Sequence, residues 1–196
     1  MMRALRFFIL AVLAVPVVVF AAPVSVHNLR LWPAPDNTRL VFDLSGPLEH
    51  RLSTLNNPER IVIEKRTRRL LLMNGGEVVA AYPVKLGLSP VGHKQYEGDF
   101  RTPEGSYLLS RRNPRSEYFL SLEVSYPNEA DRARARAEGL RPGGLIMIHG
   151  QPNVRTRPPE YYANNDWTNG CIAVSNSDMI DIWQRTRVGM PIEIRP

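Results

Sequence analysis

The sequence predicts a mainly β fold with two or three short helices, and three observations predict it. Short alternating apolar and polar runs recur along the chain, separated by turns rich in Pro, Asn and Gly. A continuous apolar run of strand length, GGLIMIHG, fits a strand covered on both faces. Only two segments, NEADRARARAEG and SDMIDIWQRT, carry clear helix start and stop signals.

In chain order, the N-terminus reads MMRALR, FFILAVLAVPVVVF, AAP: a basic stretch, an apolar core and small residues. This is the pattern of a secretory signal peptide over residues 1–21, with Val19 and Ala21 satisfying the small-x-small rule. The apolar run Phe7–Phe20 is interrupted by Pro16 and falls short of the roughly 18–20 residues a membrane span needs. The expectation is therefore an exported chain with no membrane span once residues 1–21 are removed. What remains is long enough for one well-cored domain and a small appendage.

Residues 24–64 alternate as strands do: VSVHNLRLW, TRLVFDL and ERIVIEK, divided by PAPDN and NNP. The division drawn is a small β segment, 22–60, and a main domain, 61–196. The main domain opens on a hairpin, RLLLMN and EVVAAYPVKLG joined by Gly75-Gly76, a turn pair that reaches positive φ without penalty. A polar, glycine-rich loop follows (GHKQYEGDFRTPEG), then strands SYLLS and YFLSLEVSY. The helix over 128–139 has Asn128 as N-cap, an acidic first turn and Gly139 as its stop. Alanines are its only apolar face, so it reads as a lid or edge helix. After GGLIMIHG comes a proline-rich polar stretch expected to be a loop. The second helix, capped by Ser175 or Asn176, has Met179, Ile180, Ile182 and Trp183 on one side, and the strand PIEIRP ends the chain.

Charge and cysteine usage narrow the function. A formal charge of +6 suits an anionic polymer such as cell wall, though a solvated surface explains it equally. No basic block interleaved with aromatics points to nucleic acid. The single cysteine, Cys171, cannot form an internal disulfide in an oxidising compartment. Taken alone it is a buried inert thiol, an intermolecular bridge, a lipid anchor or a nucleophile, and a lipid-anchor cysteine would sit at the signal cleavage site instead. Four dispersed histidines beside one cysteine have no metal-ligand spacing, so no metal site is expected, and a thiol nucleophile with a base would need no cofactor.

DWTNGCIAVSN, residues 166–176, places Cys171 after a glycine in a turn-forming stretch, just before a helix whose N-terminus favours a thiolate. Gly170 lets the backbone turn sharply and bring N–H groups near a developing oxyanion. His149 ends the apolar strand, where it is either a core histidine satisfied by one hydrogen bond or a base. Both residues gain meaning only if they meet in space.

IMIHG followed by DWTNGCIAVSN resembles the signature of the L,D-transpeptidases (YkuD-type catalytic domain), an HG preceding an [ST]-x-G-C. The resemblance extends through YPVKLGLSPVG, EGDFRTPEGSYLL, SYPNEADRARA and PIEIRP, covering residues 61–196. It implies a β-sandwich or barrel with short helices. It also implies that Cys171 is the nucleophile, His149 the base, and the Gly150 carbonyl the group that orients the imidazole. The implied substrate is a peptidoglycan stem peptide containing diaminopimelate. Cys171 would attack the carbonyl of its L-centre, His149 would pass the proton to the leaving amine, and N–H groups at Gly170–Cys171 would hold the oxyanion. An amine or water then resolves the thioester. The family's commonest form is SHGC with an arginine two residues on, whereas Thr168, Asn169 and Ala173 stand here, so the donor-peptide pocket differs. The DWT-x-GCIAV form resembles a branch that includes hydrolases releasing wall-linked lipoprotein, a second implied partner. Residues 24–64 are similar to the first half of an AMIN domain, a periplasmic peptidoglycan-targeting module, which implies the periplasm of a Gram-negative-type bacterium.

Tyr126, Arg111 and Arg112 are further candidates, because an anionic peptide calls for cations in its groove; a solvated arginine pair on a turn explains the last two as well. Thr102-Pro103-Glu104-Gly105 matches a family turn and reads as structural. Two other classes remain. A papain-like peptidase places its cysteine ahead of the histidine, the reverse of the order here. A non-catalytic wall-binding module would bury Cys171 unreactive.

Overall fold

The computed structural model describes residues 26–33, 38–46 and 57–196. The signal-peptide expectation and part of the AMIN-like segment lie outside those residues. The chain divides into two compact units, Met1–Thr54 and Leu55–Pro196. In the first, β1 (Val26–Pro33) and β2 (Thr38–Leu44) form an antiparallel pair, with a register shift between Val26 and Asn28.

The second unit is built on an eight-stranded sheet. Its strands are β3 (Arg60–Glu64), β4 (Arg69–Asn74), β5 (Glu77–Pro83), β6 (Gly105–Ser116), β7 (Phe119–Val124), β8 (Met147–His149), β9 (Ile172–Ala173) and β10 (Pro191–Arg195). The sheet order is β5-β4-β3-β10-β6-β7-β8-β9. The expected third strand of the N-terminal segment is thus an interior strand of this sheet, parallel to β10 on one side and antiparallel to β4 on the other. Ile61, Val62 and Ile63 are buried in succession, so both faces of β3 are covered, which a small appendage could not do. Ile61, Ile63, Leu70, Leu72, Leu109, Leu122, Ile148, Ile172, Met179 and Ile182 belong to one large core, and Val62, Leu71 and Met73 pack on the opposite face.

Local chemistry accounts for most elements. Gly75 and Gly76 take φ of 55° and 92°, as a two-residue hairpin turn demands, and join β4 to β5. The helix α1 (Glu129–Ala137) carries a full capping box: Asn128 accepts from the Asp131 N–H while the Asp131 carboxylate accepts from the Asn128 N–H. Glu138 is its C-cap, and Gly139 follows with φ 66°. The alanine face is only part of its packing. Asp131 is buried too, accepting from the Tyr107 hydroxyl and from Arg134 and standing 3.1 Å from His93 Nε2. The stretch between His149 and Cys171, expected to be all loop, contains the short helix α2 (Pro159–Asn164), which starts on proline and has no side-chain cap. The helix α3 (Asn176–Arg185) is capped by Ser175, whose hydroxyl accepts from the Asp178 N–H.

One feature of the topology positions the site. After β5 the chain bridges the far edge of the sheet, with Lys85 opposite Ala173 and Gly87 opposite Thr168. The N–H of Lys85 donates to the Ala173 carbonyl and the N–H of Ala173 to that of Lys85, both at 2.8 Å. The sheet therefore closes on itself, and the seam runs along the turn that carries Cys171.

Candidate active site

Parallel pairing of β8 with β9 brings the histidine and the cysteine to one place. Ile148 is opposite Ile172 and His149 opposite Ala173, so Cys171, just before β9, lies beside the strand that ends in His149. Both residues line one cavity of about 430 Å³, together with Asn113, Tyr118, Ser121, Trp167, Thr168 and Asn169. The two sequence-distant residues thus line one open groove.

His149 is only 3 % exposed. Its Nδ1 lies 2.7 Å from the Gly150 carbonyl oxygen; a carbonyl only accepts, so Nδ1 carries the proton and Nε2 is the free, basic nitrogen. The ring packs at 4.6 Å from Tyr118 and 5.6 Å from Trp167. Burial disfavours the imidazolium and pushes the pKa down to about 4, against the opposing hydrogen bond to Gly150. Gly150 has a steric reason to be glycine: a Cβ there would stand 2.6 Å from Asn176 Oδ1 and 3.0 Å from the Phe119 Cβ.

Cys171 is half-buried, and its Sγ donates to the Leu145 carbonyl at 3.6 Å. Burial pushes the thiol pKa up, while a hydrogen bond from the Met147 N–H and the charge of Lys94 pull it back. Burial thus disfavours the charged form of both groups.

The turn before the sulfur is tightly specified. Gly170 has φ 124°, and a Cβ there would lie 2.7 Å from the Arg101 carbonyl oxygen. Thr168 is buried; its hydroxyl donates to the Cys171 carbonyl at 2.7 Å and accepts from the Gly170 N–H at 3.1 Å. The Gly170 amide, expected to face an oxyanion, is thus occupied inside the turn. Asn169 is exposed and lines the groove. Asp166 anchors the turn from behind, accepting from Arg68 Nε and Nη2 and from the Leu86 N–H.

The remaining candidates lie elsewhere. Tyr126 is a core residue whose hydroxyl donates to the Pro142 carbonyl, with its ring edge-on to Tyr107. Arg111 pairs with Glu123 on the exposed face of the β6–β7 ladder. Arg112 stacks on Trp183 at 4.0 Å and donates to the carbonyls of Trp183 and Thr186 at the end of α3. None of the three lines the groove. Sequence reasoning missed Tyr118 and Trp167, which wall His149. Trp167 Nε1 is a buried donor without a hydrogen-bond partner among the described residues. The indole in DWT sits one residue before Thr168, and only the fold turns it against the imidazole. No group of three or more His, Cys, Asp or Glu side chains that could hold a metal occurs among the described residues.

The closed sheet thus carries a half-buried thiol at its seam and an oriented imidazole in the same groove. The family comparison agrees: the L,D-transpeptidase catalytic domain (YkuD) model matches residues 58–194, and the chain belongs to that family. The chain is 29% identical over 142 residues to YafK of Escherichia coli strain K12, covering 69% of this chain and 50% of YafK. It is also similar to the crystal structure of the helical cell shape determining protein Pgp2 of Campylobacter jejuni, at 27% identity and a TM-score of 0.52, covering 69% of this chain and 46% of Pgp2. The K307A mutant of Pgp2 shares the fold at 24% identity and TM-score 0.52, over 72% of this chain and 51% of that one. The chain spans about half the length of the curated relatives it matches.

Proposed function

We propose that the protein is a cysteine-dependent peptidoglycan L,D-transpeptidase acting on diaminopimelate-containing stem peptides through a thioester. The observation that carries this reading is the shared groove of Cys171 and His149, with Nδ1 tied to Gly150 and Nε2 free. Cys171 Sγ attacks the carbonyl of the diaminopimelate L-centre as its proton passes to Nε2. The Cys171 N–H steadies the oxyanion, and the imidazolium then protonates the departing amine. An amine acceptor resolves the thioester into a new amide. No cofactor enters this sequence, because thiol and imidazole supply the nucleophile and the proton transfers.

Hydrolysis is the second reading, in which water resolves the thioester and the product is a trimmed stem peptide or a lipoprotein released from the wall. The resemblance of DWT-x-GCIAV to a hydrolase-containing branch favours it, and Asn169, standing where the commonest motif has histidine, lines the groove beside the sulfur. The half-buried thiol at a groove speaks against a non-catalytic wall-binding module. The likeness to a cell-shape-determining protein fits a role in wall remodelling under either outcome. Export to the periplasm, read from residues 1–21, belongs to the same proposal, and cell fractionation tests it.

The deciding experiment incubates purified protein with defined muropeptides and with lipoprotein-linked sacculi, alongside mass spectrometry of a carbapenem adduct on Cys171. Adduct and turnover should both be lost in Cys171→Ser, and turnover should fall about 10²–10⁴-fold in His149→Ala. Crosslinked dimers without free tripeptide would exclude the hydrolase; absence of any adduct or turnover would remove the enzyme reading.

A further inference from the structure

Cys171 borders a second cavity. Next to the His149 groove, with which it shares Leu145, Asn169 and Cys171, lies a space of about 260 Å³ lined also by Lys94, Phe100 and Gly143. Lys94 is the one cation among these lining residues, and its side chain is only 4 % exposed. The ammonium has three N–H donors. One goes to Asp99 Oδ1 at 2.7 Å and one to the Tyr96 carbonyl at 3.0 Å, which leaves a third.

Asp99 does not need this lysine to build the loop. Its carboxylate already accepts from the backbone N–H groups of Gln95, Tyr96 and Arg101. Burial pushes the Asp99 carboxyl up, yet the Lys94 and backbone hydrogen bonds together hold it below the ordinary carboxylate range. Burying an ammonium costs several kcal/mol of lost hydration, and an aliphatic side chain of the same length would fill the space without that cost. The charge does reach the reacting atom: it acts on the Cys171 sulfur against the effect of burial. The carboxylate side chain lining the cavity, Glu97, is paired with Arg141 at 3.0 Å.

We propose that Lys94 selects for a carboxylate-bearing ligand in this second cavity, its third N–H taking a carboxylate of the segment on the Lys94 side of the sulfur. The inference deepens the stem-peptide reading, since such peptides carry free carboxylates beside the bonds being exchanged. It places Lys94 as a specificity-determining residue, with the Asp99 pair holding its ammonium at the cavity wall.

Two small alkylating probes test it without requiring turnover. In each, Cys171 Sγ forms a bond to the reagent's methylene carbon as the carbon–iodine bond breaks and iodide departs. Iodoacetate carries a carboxylate and iodoacetamide does not, so the ratio of their rates cancels any change in thiolate fraction. At low ionic strength the wild-type ratio should exceed that of glutathione by about tenfold, the order of one partly screened charge contact, and should fall as salt is added. Lys94→Met should lower the ratio by about tenfold, and so should the charge-neutral double variant Lys94→Met/Asp99→Asn, which leaves no carboxylate unpaired. KM for carboxylated muropeptides should rise more than kcat falls. A wild-type ratio equal to that of glutathione, or one unchanged in the folded double variant, would overturn the proposal. Absence of turnover with an intact ratio effect would sink the stem-peptide reading while leaving the carboxylate site standing.

Discussion

At the scale of single residues, burial holds the groove's histidine uncharged. His149 is buried between Tyr118, Trp167 and the sheet, and its pKa falls to about 4. In the unfolded chain the same imidazole titrates near 6.5. Between those values the unfolded state binds a proton that the folded state refuses, so stability rises with pH across that interval. The contribution is fully present above pH 6.5 and is lost as pH falls through 4, a difference on the order of 3 kcal/mol. Urea unfolding at pH 7 and pH 4 should show the wild type losing about that much more than His149→Gln; His93 titrates in both proteins and cancels. Equal losses would mean that the ring is not held neutral by burial. Alkylation of the free enzyme by iodoacetamide should likewise climb with pH to a midpoint above the ordinary thiol range, because burial raises the Cys171 pKa.

At the scale of elements, what the sequence discloses depends on whether the signal is local. The β4–β5 hairpin, α1 and α3 were legible because Gly75-Gly76, Asn128 and Ser175 each determine their own turn or cap. The helix α2 was not, since six residues begun on a proline leave no periodic pattern to read. The length of β6 was also hidden. RRNPR looks like a turn, yet the strand runs on to Ser116 by changing partner from β10 to β7, and Pro114 falls in a register shift between Asn113 and Ser116. The arginine pair shows the same limit. Adjacent residues on a strand face opposite ways, so Arg111 goes to a surface pair with Glu123 while Arg112 caps the end of α3. Arg111→Ala should therefore shift stability by less than about 1 kcal/mol. Arg112→Ala, which loses two charge-assisted hydrogen bonds and a cation–π contact on Trp183, should cost about 2–3 kcal/mol. Thermal melts measure both, and alkylation of Cys171 at 25 °C should be unchanged in each, because neither side chain lines the groove.

At the scale of the molecule, the site depends on pairings between remote parts of the chain. The motif residues His149 and Cys171 could be named from sequence, but their meeting rests on a parallel bridge between strands of three and two residues, β8 and β9. So short a ladder is held by its surroundings: Lys85 and Leu86 grip the cysteine turn from the other edge, and β7 pairs with β8. The same non-local logic moves β3 from the N-terminal segment into the sheet, where it is the parallel partner of β10 and so joins the two ends of the catalytic unit. Two deletions separate these roles. Removing residues 22–54 takes away β1 and β2 but no strand of the large sheet, so the unit Leu55–Pro196 should melt cooperatively and alkylate at Cys171 as the intact chain does. Extending the deletion through Lys65 removes Ile61 and Ile63 from the main core and leaves β4 and β10 facing an empty lane. It also removes the buried Lys65 ammonium, which donates to the Thr102 carbonyl and to Glu104 and so ties down the loop that ends against Gly170. That protein should lose its cooperative transition, and its thiol should react at the rate of an unfolded cysteine. A longer deletion that kept a protected Cys171 would show that the seam is held without β3.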